Sequence, residues 1–190
     1  MKITDKRLEN KEYYNTDKLH DYSGSMFSHD YGDYYNNILE PLENEKINLL
    51  EIGVQKGGSV RLFSDYLKKS KIIGVDIINQ WAGPLIENYP NLSLYFFDAY
   101  NLVNIDSLPI NEFDIIIDDG PHTIESQIFF LSNFNKYLKC GGKLVLEDVQ
   151  YKNLEIILDR ITCDKTKIKV FDLHNNYNVS DDILIEYSND

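Results

Sequence analysis

The sequence predicts a doubly wound α/β domain, built on a mostly parallel seven-stranded sheet with an antiparallel pair at one edge and a short N-terminal helical cap. Three observations lead there. Seven short segments rich in Ile, Leu, Val and Phe are each bounded by polar or turn residues, as buried strands are. Segments with helical apolar spacing lie between the early ones. The last two segments are separated only by "HNNYNVSD", which is too short for a helical crossover and implies an antiparallel pair.

Taken in order, residues 1–46 form the cap, in which "GDYYNNILEPL" reads as helix up to Pro41. Residues 47–190 form the ligand-binding domain. Its first strand, "INLLEI", runs into "SVRLFSDYLKK", where Leu62, Phe63 and Leu67 share a helical face. "KIIGVDI" and "LSLYFFD" supply the second and third strands. The fourth, "FDIIID", precedes "TIESQIFFLSNFNKYLK", a long helix expected to run to Lys139, where Cys140-Gly141-Gly142 stops it. "KLVLED", the helix "NLEIILDRI", and the strands "KIKVFD" and "DILIEY" complete the domain. Strands alternating with helices imply right-handed crossovers and a sheet covered on both faces.

Composition narrows the function. With 43% hydrophobic residues the chain can bury a sizeable core, and 31 acidic against 19 basic residues give a formal charge of −12. Such a surface repels nucleic-acid phosphates and anionic membranes, so neither is expected as a partner. No apolar run approaches the roughly 20 residues of a membrane span. "MKITDKRLENKEYYN" lacks the apolar core of a secretory signal, and Cys140 and Cys163 have no metal-ligand spacing, which together suggest a cytoplasmic protein with reduced thiols. Many of the 14 tyrosines crowd into "YYNTDKLHDYSGSMFSHDYGDYY", as a substrate-facing cap or as aromatic packing over the sheet.

In a parallel sheet the carboxyl ends of the strands point one way, and ligands bind outside them. Each of the first five strands ends on acid: Glu51, Asp76, Asp98, then Asp118 with Asp119, then Glu147 with Asp148. Some acids there would only cap helices. Gly53, Gly57 and Gly58 follow the first strand, letting backbone approach a ligand and turn into a helix whose N-terminus favours an anionic group. Their spacing is not the Gly-x-Gly-x-x-Gly of nicotinamide sites, which argues against a dehydrogenase. Asp76 is placed to accept from ribose hydroxyls. Together these residues suggest a nucleoside ligand with a positive charge and an amino-acid tail.

These features resemble class I S-adenosylmethionine-dependent methyltransferases, with a Rossmann-like fold, and more closely the metal-dependent sugar O-methyltransferases of the macrocin and mycinamicin type. The resemblance rests on "TDK" at 16–18, "HDYGDYY" at 29–35 followed by "ILEPL", then "LLEIGVQKGGS", "IIGVDI", "IIIDDGPH" and "LKCGGKLVLEDV". It implies a divalent metal, usually magnesium, on Asp119, Glu147 and Asp148, with His122 as general base. For S-adenosylmethionine it implies Glu51 and Gly53 near the methionine portion, Ser59 near its carboxylate, Asp76 on the ribose and Asp98 near the adenine. Asp118 would lie between cofactor and metal. His29, Tyr31 and Tyr35 would belong to the cap. The chain departs from the pattern at Pro121, where Ser is usual, at Cys140, where Pro is usual, and at "FDAYN" after the third strand.

An alkyl hydroxyl has a pKa near that of bulk water, roughly 15.7, and two devices remedy this for attack on a sulfonium methyl: a bound divalent cation that lowers it and a histidine that takes the proton. The resemblance thus implies magnesium-dependent O-methylation of a hydroxyl of a sugar, nucleotide sugar or glycoside. A catechol-type O-methyltransferase and a non-catalytic nucleoside-binding partner are the alternatives. Proteins of this type often form homo-oligomers. For Glu147 and Asp148 there is a geometric condition. Adjacent strand residues point to opposite faces, so both reach one metal only if the strand ends there and the backbone turns. His20, His29 and His174 read as surface, cap or loop residues, and Trp81 as either a pocket wall or a packing residue.

Overall fold

The computed structural model describes residues 1–19, 31–84, 86–173 and 181–190. His20, His29 and His174 therefore lie outside the described residues. Seven strands form one sheet: β1 (Asn48–Ile52), β2 (Lys71–Asp76), β3 (Leu92–Phe96), β4 (Phe113–Asp118), β5 (Leu138–Leu146), β6 (Ile168–Asp172) and β7 (Ile183–Ser188). Their spatial order is β3-β2-β1-β4-β5-β7-β6. Pairings from β3 through β5 are parallel, whereas β7 is antiparallel to both β5 and β6. The expected antiparallel pair is present, with β7 inserted between β5 and the edge strand β6.

Strand alternation sorts the core into two layers. Leu49, Ile115, Val145 and Leu184 face one side, beneath helices α1 (Ile3–Glu9), α2 (Lys11–Tyr14), α3 (Gly32–Leu39) and α4 (Gly58–Tyr66). Leu50, Ile116, Leu144 and Ile185 face the other, beneath α5 (Leu102–Asp106), α6 (Ile124–Asn133) and α7 (Leu154–Arg160). The cap is thus not a separate layer: Ile3, Tyr14, Tyr31, Tyr35 and Leu39 belong to the same buried cluster as β1 and β4.

One element differs from expectation. The long helix after β4 ends at Asn133, continues as a 3-10 turn over Phe134–Tyr137, and gives way at Leu138 to β5. Pairing with β4 overrides the helical spacing: Phe113 opposes Leu138, Ile115 opposes Lys143, and the intervening residues form a bulge. Gly141, with φ +76°, sits in that bulge rather than at a helix end.

The order of strands reverses between β1 and β4, so their carboxyl ends diverge into a crevice. Ladder bonds persist to the strand tips. Asp119 N donates to Ile52 O at 2.9 Å, and Glu147 N donates to Asp118 O at 3.0 Å. The acids at these ends therefore stand side by side.

Candidate active site

Register decides which acids meet. Ile117 opposes both Glu51 and Val145, so Glu51, Asp119 and Glu147 fall on the face covered by the N-terminal helices. Asp118 opposes Ile52 and Leu146 and points to the other face. There it accepts from Tyr100 Oη at 2.7 Å and Gly120 N at 3.1 Å. Burial pushes its carboxyl up to about 7 in spite of those two donors.

Asp148 meets the condition set by its sequence position. β5 ends at Leu146, and Asp148 has φ +54°, a left-handed backbone that turns its side chain back beside Asp119. His122 is left-handed too, at φ +51°. Non-glycine residues held in this region are strained and gather at functional sites. His122 Nε2 lies 3.6 Å from Asp119 Oδ1 and 3.7 Å from Asp148 Oδ2. Among the described residues, donors from Asp119, His122 and Asp148 lie within 4.8 Å of one another.

Glu147 is more deeply set. It accepts from Tyr35 Oη and from Lys18 Nζ. Lys18 also donates to Asp119 Oδ2 at 2.5 Å and lies 3.2 Å from Glu51 Oε1, while its side chain is only 3% exposed. Burial alone would lower its pKa, but Asp119, Glu147 and Glu51 outweigh that and keep the ammonium charged. Glu51 accepts from Ser59 Oγ at 2.8 Å, and burial raises it to about 7 against the pull of Lys18.

Tyr31 Oη donates to Asp148 Oδ1 at 2.6 Å. Of the described tyrosines in the N-terminal cluster, Tyr14, Tyr31, Tyr34 and Tyr35 are buried and Tyr13 is partly buried. Two of them bond the acids at the end of β5.

Two cavities meet here. One, of about 460 Å³, is bordered by Thr16, Asp17, Gly53, Ser59, Asp119 and His122. The other, of about 400 Å³, is bordered by Asp76, Ile77, Phe97, Asp98, Tyr100 and Gly120. Gly53, Gln55 and Asp119 border both. Asp76 accepts from Gln55 N at 2.8 Å and Ile78 N at 3.2 Å, and Asp98 accepts from Tyr100 N at 2.9 Å. Glu51 and Asp118 stand behind the walls rather than in them, each almost fully buried.

Gly53 is dictated by backbone. Its φ is +86°, and an added Cβ would lie 1.9 Å from the Asp119 carbonyl oxygen. Trp81 takes the packing alternative: it lies edge-on to Tyr89, stacks near Arg61 at 5.7 Å, and covers Gly57. Sequence reasoning gave no role to Lys18 or Tyr100. "TDK" marked Lys18 only as part of a motif.

No protein-family model matches the chain. It is 28% identical over 131 residues to a Streptomyces olivaceus 8-demethyl-8-α-L-rhamnosyl tetracenomycin-C 2'-O-methyltransferase, covering 64% of this chain and 34% of that protein. An uncharacterized protein of Acanthamoeba polyphaga mimivirus is 28% identical over 126 residues, covering 60% of this chain and 57% of its own length. The chain thus spans well under two thirds of either relative. Among solved structures, the MycE methyltransferase from the mycinamycin biosynthetic pathway, in complex with Mg, SAH and mycinamycin VI, superposes with TM-score 0.69 at 18% identity, over 99% of this chain and 54% of that one. The CmcI structure with Mg and SAM superposes with TM-score 0.61 at 20% identity, over 82% of this chain and 69% of that one. By its sheet order, its strand-end acids and these likenesses, the chain has the Rossmann-like fold of the class I S-adenosylmethionine-dependent methyltransferases.

Proposed function

We propose that the chain is an S-adenosylmethionine-dependent, metal-assisted O-methyltransferase acting on a hydroxyl of a sugar, nucleotide sugar or glycoside. The observation that carries this is the meeting of Asp119, His122 and Asp148 where the two cavities join. The named Streptomyces relative acts on a rhamnosyl group, and that supports a sugar-type acceptor.

The residues fit the groups this chemistry needs. The smaller cavity combines apolar Ile77 and Phe97 with Asp76 and Asp98, which suits a nucleoside. Gly58 and Ser59, at the start of α4, border the larger cavity and suit the amino-acid tail. Hard carboxylate oxygens from Asp119, Glu147 and Asp148 suit magnesium. Bound there, a divalent cation supplies positive charge that acidifies a neighbouring hydroxyl, and S-adenosylmethionine supplies the methyl group.

His122 is 34% exposed, so an acceptor hydroxyl can reach it from the larger cavity. Its imidazole takes the hydroxyl proton as the oxygen attacks. Asp119 and Asp148 flank the ring and stabilise the imidazolium that forms. The left-handed backbone at His122 and Pro121 before it hold the ring at the junction. Buried Tyr31 and Tyr35 fix Asp148 and Glu147 from behind.

The test is calorimetry with S-adenosylmethionine, followed by mass analysis after incubation with nucleotide sugars and free glycosides. Saturable cofactor binding and a 14-dalton gain on a sugar-bearing acceptor, about the mass of one CH₂, are expected. Absence of cofactor binding at millimolar concentration would rule the reading out.

A further inference from the structure

Lys18 is the one cation that the fold drives into the acid cluster among the described residues. It reaches there from the stretch after α2, which is itself anchored. Tyr31 N donates to Lys18 O at 3.2 Å, and Arg7 Nη2 donates to Thr16 O at 3.4 Å. The ammonium contacts carboxylates from the ends of β1, β4 and β5 together: Glu51, Asp119 and Glu147.

Two of those three are the carboxylates assigned above to a metal. Both oxygens of Glu147 are already engaged, since Oε1 accepts from Tyr35 and Oε2 from Lys18. An incoming ion drawn to Glu147 therefore meets the Lys18 ammonium at the same oxygen. Two cations at such range repel strongly in a buried setting, where screening by water and salt is weak.

We propose that Lys18 is a resident counter-ion that exchanges with the divalent cation. With the ion absent, Lys18 holds the three strand-end acids together. When the ion binds, Lys18 withdraws from Asp119 and Glu147, so the metal state of the site is transmitted to the N-terminal segment that carries it. This rests on the metal reading given above, and goes beyond it in naming what the ion displaces.

The test uses the full chain, with Mn²⁺ alone as the probe. Binding is measured by calorimetry for the wild type and Lys18→Met, with near-ultraviolet circular dichroism to check the fold. In parallel, the wild type is treated with an amine-acylating reagent with and without Mn²⁺, and modification of Lys18 is read by mass spectrometry. Lys18→Met is expected to bind Mn²⁺ about tenfold more tightly or better, having lost a competing charge. Lys18 is expected to be protected without Mn²⁺ and modified with it. Unchanged protection at saturating Mn²⁺, or binding by Lys18→Met no tighter than wild type, overturns the exchange. Should Lys18→Met fail to fold, the acylation experiment on the wild type decides alone. If neither protein binds Mn²⁺, the exchange and the metal role both fall, while the methyl-transfer reading is judged separately by cofactor binding.

Discussion

A methyl group at residue 53 would overlap the Asp119 carbonyl, and the left-handed φ there adds strain for any side chain. Gly53→Ala is therefore expected to destabilise the protein by about 3 kcal/mol, measured by urea unfolding. A loss below about 1 kcal/mol would mean that the β1 and β4 turns separate easily. Asp118 gives a pH signature. Burial pushes its carboxyl up to about 7 from the ordinary value of 3.8, so the folded state holds the proton more tightly. Its contribution is full below about 3.8 and is lost as pH rises to about 7. Asp118→Asn imitates the protonated form. Its stability relative to wild type should rise by roughly 1–3 kcal/mol between pH 5 and about 8, in cofactor-free and metal-free protein. A flat difference would show that Asp118 is ionised throughout. His122→Ala should lower turnover about 10²-fold with cofactor affinity unchanged, as loss of a general base does, whereas equal turnover would leave His122 a turn residue. The strand-end acids were legible because a parallel sheet aligns its strand ends whatever lies between them. Lys18 was not, because its partners Asp119 and Glu147 are 101 and 129 residues away, a distance that no local pattern spans.

At the scale of elements, the strands were readable because a buried strand needs a short apolar run and little else. All seven fall within a few residues of their sequence positions. The end of α6 was not readable. Helical spacing continues past Asn133, but pairing of Leu138 with Phe113 draws the chain into β5. The start of α6 is local and was written in the sequence. Thr123 Oγ1 accepts from Ser126 N at 3.1 Å, an N-cap placed directly after His122. Thr123→Ala should cost about 1 kcal/mol of stability by thermal or urea unfolding, since it orphans a helix-end donor. An unchanged midpoint would mean that water or Ser126 replaces the cap.

At the scale of the molecule, the division into a cap and a ligand-binding domain becomes a question of whether the second can fold without the first. Residues 1–46 supply Ile3, Tyr14, Tyr31, Tyr35 and Leu39, all nearly or fully buried, to the layer that covers one face of the sheet. Burying each large apolar side chain is worth about 1.5–3 kcal/mol, whereas a whole domain is stable by only about 5–15 kcal/mol. Deleting them uncovers Leu49, Ile115 and Val145 and also removes Lys18 from Asp119 and from the buried Glu51 and Glu147. Carboxylates left buried without their cation add a further cost. A chain beginning at residue 47 is therefore expected to show no cooperative thermal transition by calorimetry and to aggregate on purification. A soluble fragment with a transition near that of the full chain would show that the cap is an independent attachment, joined to the sheet by contacts the core can lose.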